Sequence, residues 1–200
     1  MGRIAGVTPE ETRTRLVQAA VQVFAERGYE GARVTDIARE AGLSSGAIYA
    51  HYCSKAELLV DAIRAHGPKE LSRLIAAGDV RTPVPDLLVR LGSSLEQRDG
   101  TQGSLLLEAM AAARRDPELA TVLATNLADR EGVIASLVRH GQDTGDLDDD
   151  VSADVLARFC LLVVLGAMVA RVLDLPRTDP TDWSHFIARL VDGLRAEENP

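Results

Sequence analysis

The chain has 200 residues, 46% of them hydrophobic and 26% charged, with a net charge of −8, which is the composition of a folded globular protein with a substantial core. Cys53 and Cys160 are its two cysteines, too few for a disulfide framework or a zinc cluster and in keeping with a reducing cytoplasm. No signal peptide is expected, and the longest uncharged apolar run, residues 159–170, is shorter than the ~20 residues that span a bilayer; a cytoplasmic protein without membrane contact, metal centre or cofactor is the expectation.

Helix starts are legible along the whole chain, and no segment alternates like a strand. Thr8-Pro9, Thr82-Pro83, Asp116-Pro117 and Asp179-Pro180 each place a capping oxygen before a proline, whose missing N–H costs nothing in a first turn. Thr8 with Glu11, and Ser54 with Glu57, have capping-box spacing. Helices are expected over 9–27, 35–41, 45–52, 55–66, 68–78, 83–99, 103–115, 117–142, 152–174 and 180–196, giving an all-α fold. In the first, Leu16, Ala20, Val23 and Phe24 share a face and Gly28 ends it.

Residues 33–59 carry the strongest signal. Thr35 opens a short helix whose Ile37, Ala38 and Ala41 face inward. Gly42 permits a sharp turn, and Ser44 sits at the start of a second short helix. This is the spacing of a helix-turn-helix, whose second helix enters a DNA major groove. Ile48 and Tyr52 point together into the core, so the opposite face is Gly46, Ala47 and Ala50, with Tyr49 at its edge near phosphate. The alanines offer no hydrogen bonds but suit thymine methyls. Polar readout then falls to Ser44, Ser45 and His51, with Arg33 or Arg3 from outside the helix, and DNA shape supplies part of the specificity. Lys55, at the start of the next helix, is placed to meet a phosphate. Residues 1–55 carry seven basic and six acidic side chains, and residues 56–200 carry fifteen and twenty-four, so the acid lies outside this headpiece and non-specific DNA affinity is expected to be modest.

Residues 12–60 resemble the DNA-binding headpiece of the tetracycline-repressor (TetR) family. The resemblance rests on Ala19-Ala20, Phe24, Gly28-Tyr29, Thr35, Ile37-Ala38, Ala41 to Ser44, Gly46, Ile48-Tyr49, His51-Tyr52, Lys55 and Leu58. It implies DNA contacts at Thr35, Ser44, Ser45, Gly46, Ala47, Tyr49, Ala50, His51 and Lys55. Ala47 and Ala50 depart from the larger side chains of many relatives. The resemblance further implies a helix-turn-helix domain over 1–54, and over 55–200 a helical domain that binds a small molecule and dimerises through its last two helices.

Gly67-Pro68 breaks the path from the headpiece into that second domain and is a candidate pivot. All three tyrosines lie in the headpiece, so an effector pocket would be mainly aliphatic, and a small hydrophobic ligand is implied. Leu88, Leu91, Leu95, Leu106, Met110, Leu123, Leu127, Ile134, Phe159 and Met168 are candidate lining residues, and Glu108, in an otherwise apolar stretch, is a candidate polar contact. Helix 152–174 is apolar all round and needs cover on every side; with 180–196 it is the expected homodimer interface, Gly166 and Ala170 allowing close approach. The reading is a DNA-binding regulator, a repressor released from a palindromic operator by its ligand. The alternative is a helical small-molecule-binding protein with weak or lost operator binding.

Two catalytic or metal patterns are set aside. Gly42-Leu43-Ser44-Ser45-Gly46 matches a nucleophile elbow, which needs a preceding strand that this sequence lacks. Asp146, Asp148 and Asp150 have the spacing of a calcium loop, but Val151 and Ala157 replace its glycine and final glutamate, leaving an acidic turn before Ser152.

Overall fold

A computed structural model describes residues 8–65, 82–97 and 100–196. Arg3, the Gly67-Pro68 break and the helix expected over 68–78 lie outside the described residues. Among these the chain is helical, with no strand. It divides into two compact units, one of residues 1–67 and 104–126, the other of residues 68–103 and 127–200.

In the first unit, α1 (Pro9–Gly31) starts at Thr8, whose hydroxyl accepts the Glu11 amide while the Glu11 carboxylate accepts the Thr8 amide; the capping box is complete. Gly28 ends the first helical run, as expected, its φ of 66° and ψ of 175° breaking it, and a short second run follows across the kink to Gly31. α2 (Val34–Glu40) begins at Val34, with Arg33 at its N-cap, one residue earlier than the expected start at Thr35. α3 (Ser45–Tyr49) is shorter than expected, since Ala50 to Tyr52 form a turn that leads into α4 (Lys55–Ala65). Ser54 accepts the Glu57 amide, and the Glu57 carboxylate closes back on the Cys53 amide instead of Ser54's own. α1 packs on α2 and α4, and α2 on α3. Leu16, Phe24, Ile37, Ile48, Leu58 and Leu59 are buried almost completely at this core.

By packing, α4 and residues 104–126 belong with the headpiece. Those residues supply most of α6 (Thr101–Ala113) and the start of α7 (Pro117–Asp143). Asp116 caps α7 through the Leu119 amide. Buried Asn126, with its amide oxygen turned to the Arg64 guanidinium, accepts from Nε and Nη2.

In the second unit, α5 (Val84–Ser93) has Pro83, not Thr82, at its N-cap, and the Asp146 carboxylate accepts the Val84 amide. The helix expected to run to 99 tightens after Ser93 into a 3₁₀ turn, η1 (Ser94–Gln97). α8 (Ala153–Val172) and α9 (Pro180–Asp192) complete it, with Asp179 capping α9 through the Thr181 and Asp182 amides. Val84, Leu88, Val138, Leu147, Ala153, Leu156, Ile187 and Val191 form the core. Trp183 on α9 donates its indole N–H to the Gly92 carbonyl. The acidic turn is closed by bonds to its backbone: the Gln142 side-chain amide donates to the Asp148 and Val151 carbonyls, and the Asp148 amide to the Leu194 carbonyl.

Candidate nucleic-acid interface

The turn between α2 and α3 is fixed by backbone geometry. Gly42 has φ of +64°, a left-handed conformation that favours glycine. The Leu43 amide reaches back to the Ala38 carbonyl, and Arg15 on α1 donates to the Ala41 carbonyl at 2.8 Å. Helix α2, not a strand, precedes Ser44, so the elbow geometry of a serine hydrolase is not built here. Ser44 is the N-cap residue of α3 by position, but its hydroxyl bonds no helix amide, which leaves the hydroxyl toward solvent.

Ile48 and Tyr52 are buried as the spacing demands. Tyr52 is held more firmly than its hydrophobic ring alone requires. Its hydroxyl donates to Asp61 at 2.6 Å, and Asp61 also takes a two-pronged ion pair from Arg13. Burial, reinforced by the Asp61 carboxylate, pushes the phenol up to about 12. This triad links α1, α4 and the end of the recognition turn, and so fixes how α3 is presented. Nothing in the sequence pairs residues 13, 52 and 61.

On the opposite side, Gly46, Tyr49 and Ala50 are exposed, Tyr49 to 62%, and Ser45, Ala47 and His51 are half-buried. Arg33, Thr35 and Ser44 are exposed beside them. Gly46 and Ala50 of the small-residue face are therefore exposed in this chain, and Ala47 is half-buried.

Lys55 is placed differently from expectation. Its ammonium donates to the Tyr29 carbonyl at 2.7 Å and the Ala32 carbonyl at 3.2 Å, and lies 4.1 Å from the centre of the Tyr29 ring. Desolvation lowers its pKa. The positive charge sits at the end of α1, where unpaired carbonyls attract it, so Lys55 serves first as a clasp on α1 rather than as a free phosphate contact.

Glu108 is also relocated. Its Oε1 accepts the Tyr29 amide at 2.7 Å, immediately after the Gly28 bend. It is not free to orient a ligand; it holds α6 to the end of α1. The Tyr29 hydroxyl donates to Asp116, which burial and that carboxylate make harder to ionise. Asp116 in turn lies below the usual carboxylate range, chiefly through the Leu119 amide at the helix start.

The other candidate lining residues fall in both units. Leu106, Met110 and Leu123 lie in the first; Leu88, Leu91, Leu95, Leu127, Ile134, Phe159 and Met168 in the second. Leu88 and Ile134 pack into the second unit's core. Phe159 is 52% exposed on α8, which places it on the outer face of that helix rather than around an enclosed ligand. It belongs to a row of Val155, Phe159, Leu162, Gly166, Val169 and Leu173, spaced alternately by four and three residues, and all exposed. Phe186 and Leu190 are exposed on α9. Leu156, Ala157, Leu161 and Met168 take the buried side of α8. By length and a mean hydropathy of 2.2, α8 would suffice to cross a membrane; the shorter uncharged run had suggested otherwise, because Arg158 interrupts it.

Two family models match the chain. That of bacterial regulatory proteins of the tetR family covers residues 16–62, and that of the C-terminal part of BetI-type transcriptional repressors covers residues 87–196. Among relatives, the HTH-type transcriptional regulator UidR of Escherichia coli strain K12 is 27% identical over 192 residues, which is 94% of this chain and 91% of UidR. A TetR-family regulator structure from Rhodococcus sp. superposes with a TM-score of 0.74 at 22% identity, over 94% of this chain and all of that one. The regulator FadR of Bacillus subtilis, solved with stearoyl-CoA, gives 0.67 at 19% identity, over 89% of this chain and 96% of FadR. The chain belongs to the tetR family of bacterial regulatory proteins, and is a DNA-binding transcriptional regulator.

Proposed function

We propose that the protein is a homodimeric repressor that binds a two-fold symmetric operator and is released by a small, mainly hydrophobic molecule. The observation that carries this reading is the exposure of Gly46 and Ala50, with half-buried Ala47 between them, beside Tyr49. Ser44, Ser45, His51, Thr35 and Arg33 surround that face with donors and acceptors for base edges and phosphates. Two such helices in a dimer would meet successive major grooves about 34–36 Å apart.

The exposed row on α8, with Phe186 and Leu190 on α9, supports dimerisation through these two helices. A second copy covers such a row with the same row, as two-fold symmetry requires, and Gly166, with open space where a Cβ would stand, lets backbones approach. The stearoyl-CoA bound by FadR is a property of that protein; it supports an amphipathic effector here, together with the aliphatic composition of the helical domain. A ligand releases DNA only by preferring the conformation that does not fit the operator. A DNA-binding cytoplasmic protein is the corresponding place of action.

The test is selection of bound sequences from random duplex DNA by the full chain. A two-fold symmetric consensus, with half-sites about one helical turn apart, is the expected result. Enrichment of no sequence would refute operator binding, and an asymmetric single half-site would refute the dimer.

A further inference from the structure

Two polar atoms at the end of α5 have no hydrogen-bond partner among the described residues and no contact with solvent: the Ser93 hydroxyl and Oε2 of Glu96. Both departures from custom are informative. A helical serine normally bonds back to a carbonyl of its own helix, as neighbouring Ser94 does to Leu91 at 2.7 Å; Ser93 does not. Glu96 as a whole is half-buried, but its Oε2 is shut off from water, and a buried group left unpaired is costly. Such orphans are completed by a water, an ion or a ligand, or else store strain.

Their placement is specific. Ser93 and Glu96 are three residues apart at the junction where α5 tightens into η1, so they share a face. η1 packs on α8 and α9. Leu95 is buried in the same turn and Leu91 is half-buried one turn earlier. Both of these neighbours in sequence are aliphatic, and residues 56–200 carry a nine-charge acidic excess, which favours cations.

We propose that Ser93 and Glu96 anchor the head of the effector, and that this head is a protonated primary or secondary amine on an aliphatic body. The proposal rests on the effector-binding reading above. An ammonium N–H supplies a charge-assisted bond to Glu96 and a further donor to the Ser93 oxygen. A quaternary ammonium fits poorly, because it has no N–H, and its recognition relies on aromatic faces. The tyrosines are all in the headpiece, Trp183 is committed to the Gly92 carbonyl, and Phe159 and Phe186 face outward.

The experiment is titration calorimetry of the full chain with n-octylammonium, octanol, octyltrimethylammonium and octanoate. Octylammonium is expected to bind at least about tenfold tighter than the other three, as a charge-assisted bond in a dry site allows. Glu96→Gln should erase that preference and leave octanol binding within about twofold, and Ser93→Ala should weaken octylammonium by about three- to tenfold. The Glu96→Gln protein should melt at or above the parent temperature, since the unpaired buried atom no longer belongs to a charged group. Equal binding of octanoate or the trimethyl probe, a preference that survives Glu96→Gln, no octylammonium binding, or unfolding of Glu96→Gln would each overturn the proposal. Operator binding by the ligand-free protein separates the two readings: a chain that binds its operator but ignores octylammonium refutes this anchor alone.

Discussion

Replacing Gly28 by alanine tests how the headpiece is held. Gly28 has φ of 66° and ψ of 175°, a region that residues other than glycine enter at a cost of about 1–3 kcal/mol. The new Cβ would also stand 2.6 Å from Oε1 of Glu108, the atom that accepts the Tyr29 amide at 2.7 Å. Glu108 must move, and losing a hydrogen bond to a charged group costs about 1.5–3 kcal/mol. The lower entropy of the unfolded alanine chain returns about 0.4–1 kcal/mol. The net destabilisation is therefore about 2–5 kcal/mol, read as the urea midpoint by far-ultraviolet circular dichroism. For a chain of this length the melting temperature should drop by about 4–20 °C. Gly28→Ala combined with Glu108→Ala removes the collision and keeps the backbone strain, so the pair should cost less than the sum of the singles. Gly28→Ala within about 0.5 kcal/mol of the parent, the range of an ordinary surface substitution, would refute the reasoning.

Three further outcomes follow from the same geometry. The Tyr52 phenol, pushed up to about 12 by burial and the Asp61 bond, keeps its proton in the folded state while the unfolded chain releases it near 10. Stability present below pH 10 should be lost as the pH climbs toward 12, and Tyr52→Phe should flatten that decline in urea midpoints measured from pH 8 upward. Phe159→Glu should leave the melting of the isolated subunit unchanged, because the ring is exposed, yet convert the proposed dimer to a half-mass species in sedimentation velocity; a dimer that persists would remove α8 from the interface. Replacing operator thymines by uracil should weaken binding by about fourfold for each methyl packed against Ala47 or Ala50, at about 0.8 kcal/mol per buried carbon; no change at any position would exclude methyl readout.

The helices were legible where the physics is local. Thr8 with Glu11 forms its capping box, Asp179 caps where the sequence places it, and Ile48 and Tyr52 are buried together because the Tyr52 amide still reaches the Ile48 carbonyl one turn back, past the end of α3. The exposed side of α3 follows from the helical period. What sequence did not show are partnerships between distant residues. Lys55 reads as a phosphate contact at its own helix start, and only the end of α1 beside it reveals the Tyr29 and Ala32 carbonyls that hold it. Glu108 reads as a stray carboxylate in an apolar helix until the Gly28 bend presents the Tyr29 amide to it. Arg13, Tyr52 and Asp61 carry no pattern in sequence at all. The tightening of α5 into η1 was hidden because the hydrophobic repeat continues through Leu91 and Leu95 while the backbone does not.

The central claim is that the small-residue side of α3 lies against base edges. Ala50 is exposed in the chain, so Ala50→Glu should leave melting temperature and oligomeric state unchanged. Pressed into a groove, that carboxylate would be buried without a partner, a cost of about 3–5 kcal/mol. Fluorescence anisotropy on the selected duplex, at fixed salt, should therefore show affinity lowered by more than about 100-fold. Affinity within about twofold of the parent, under 0.5 kcal/mol, would contradict the account.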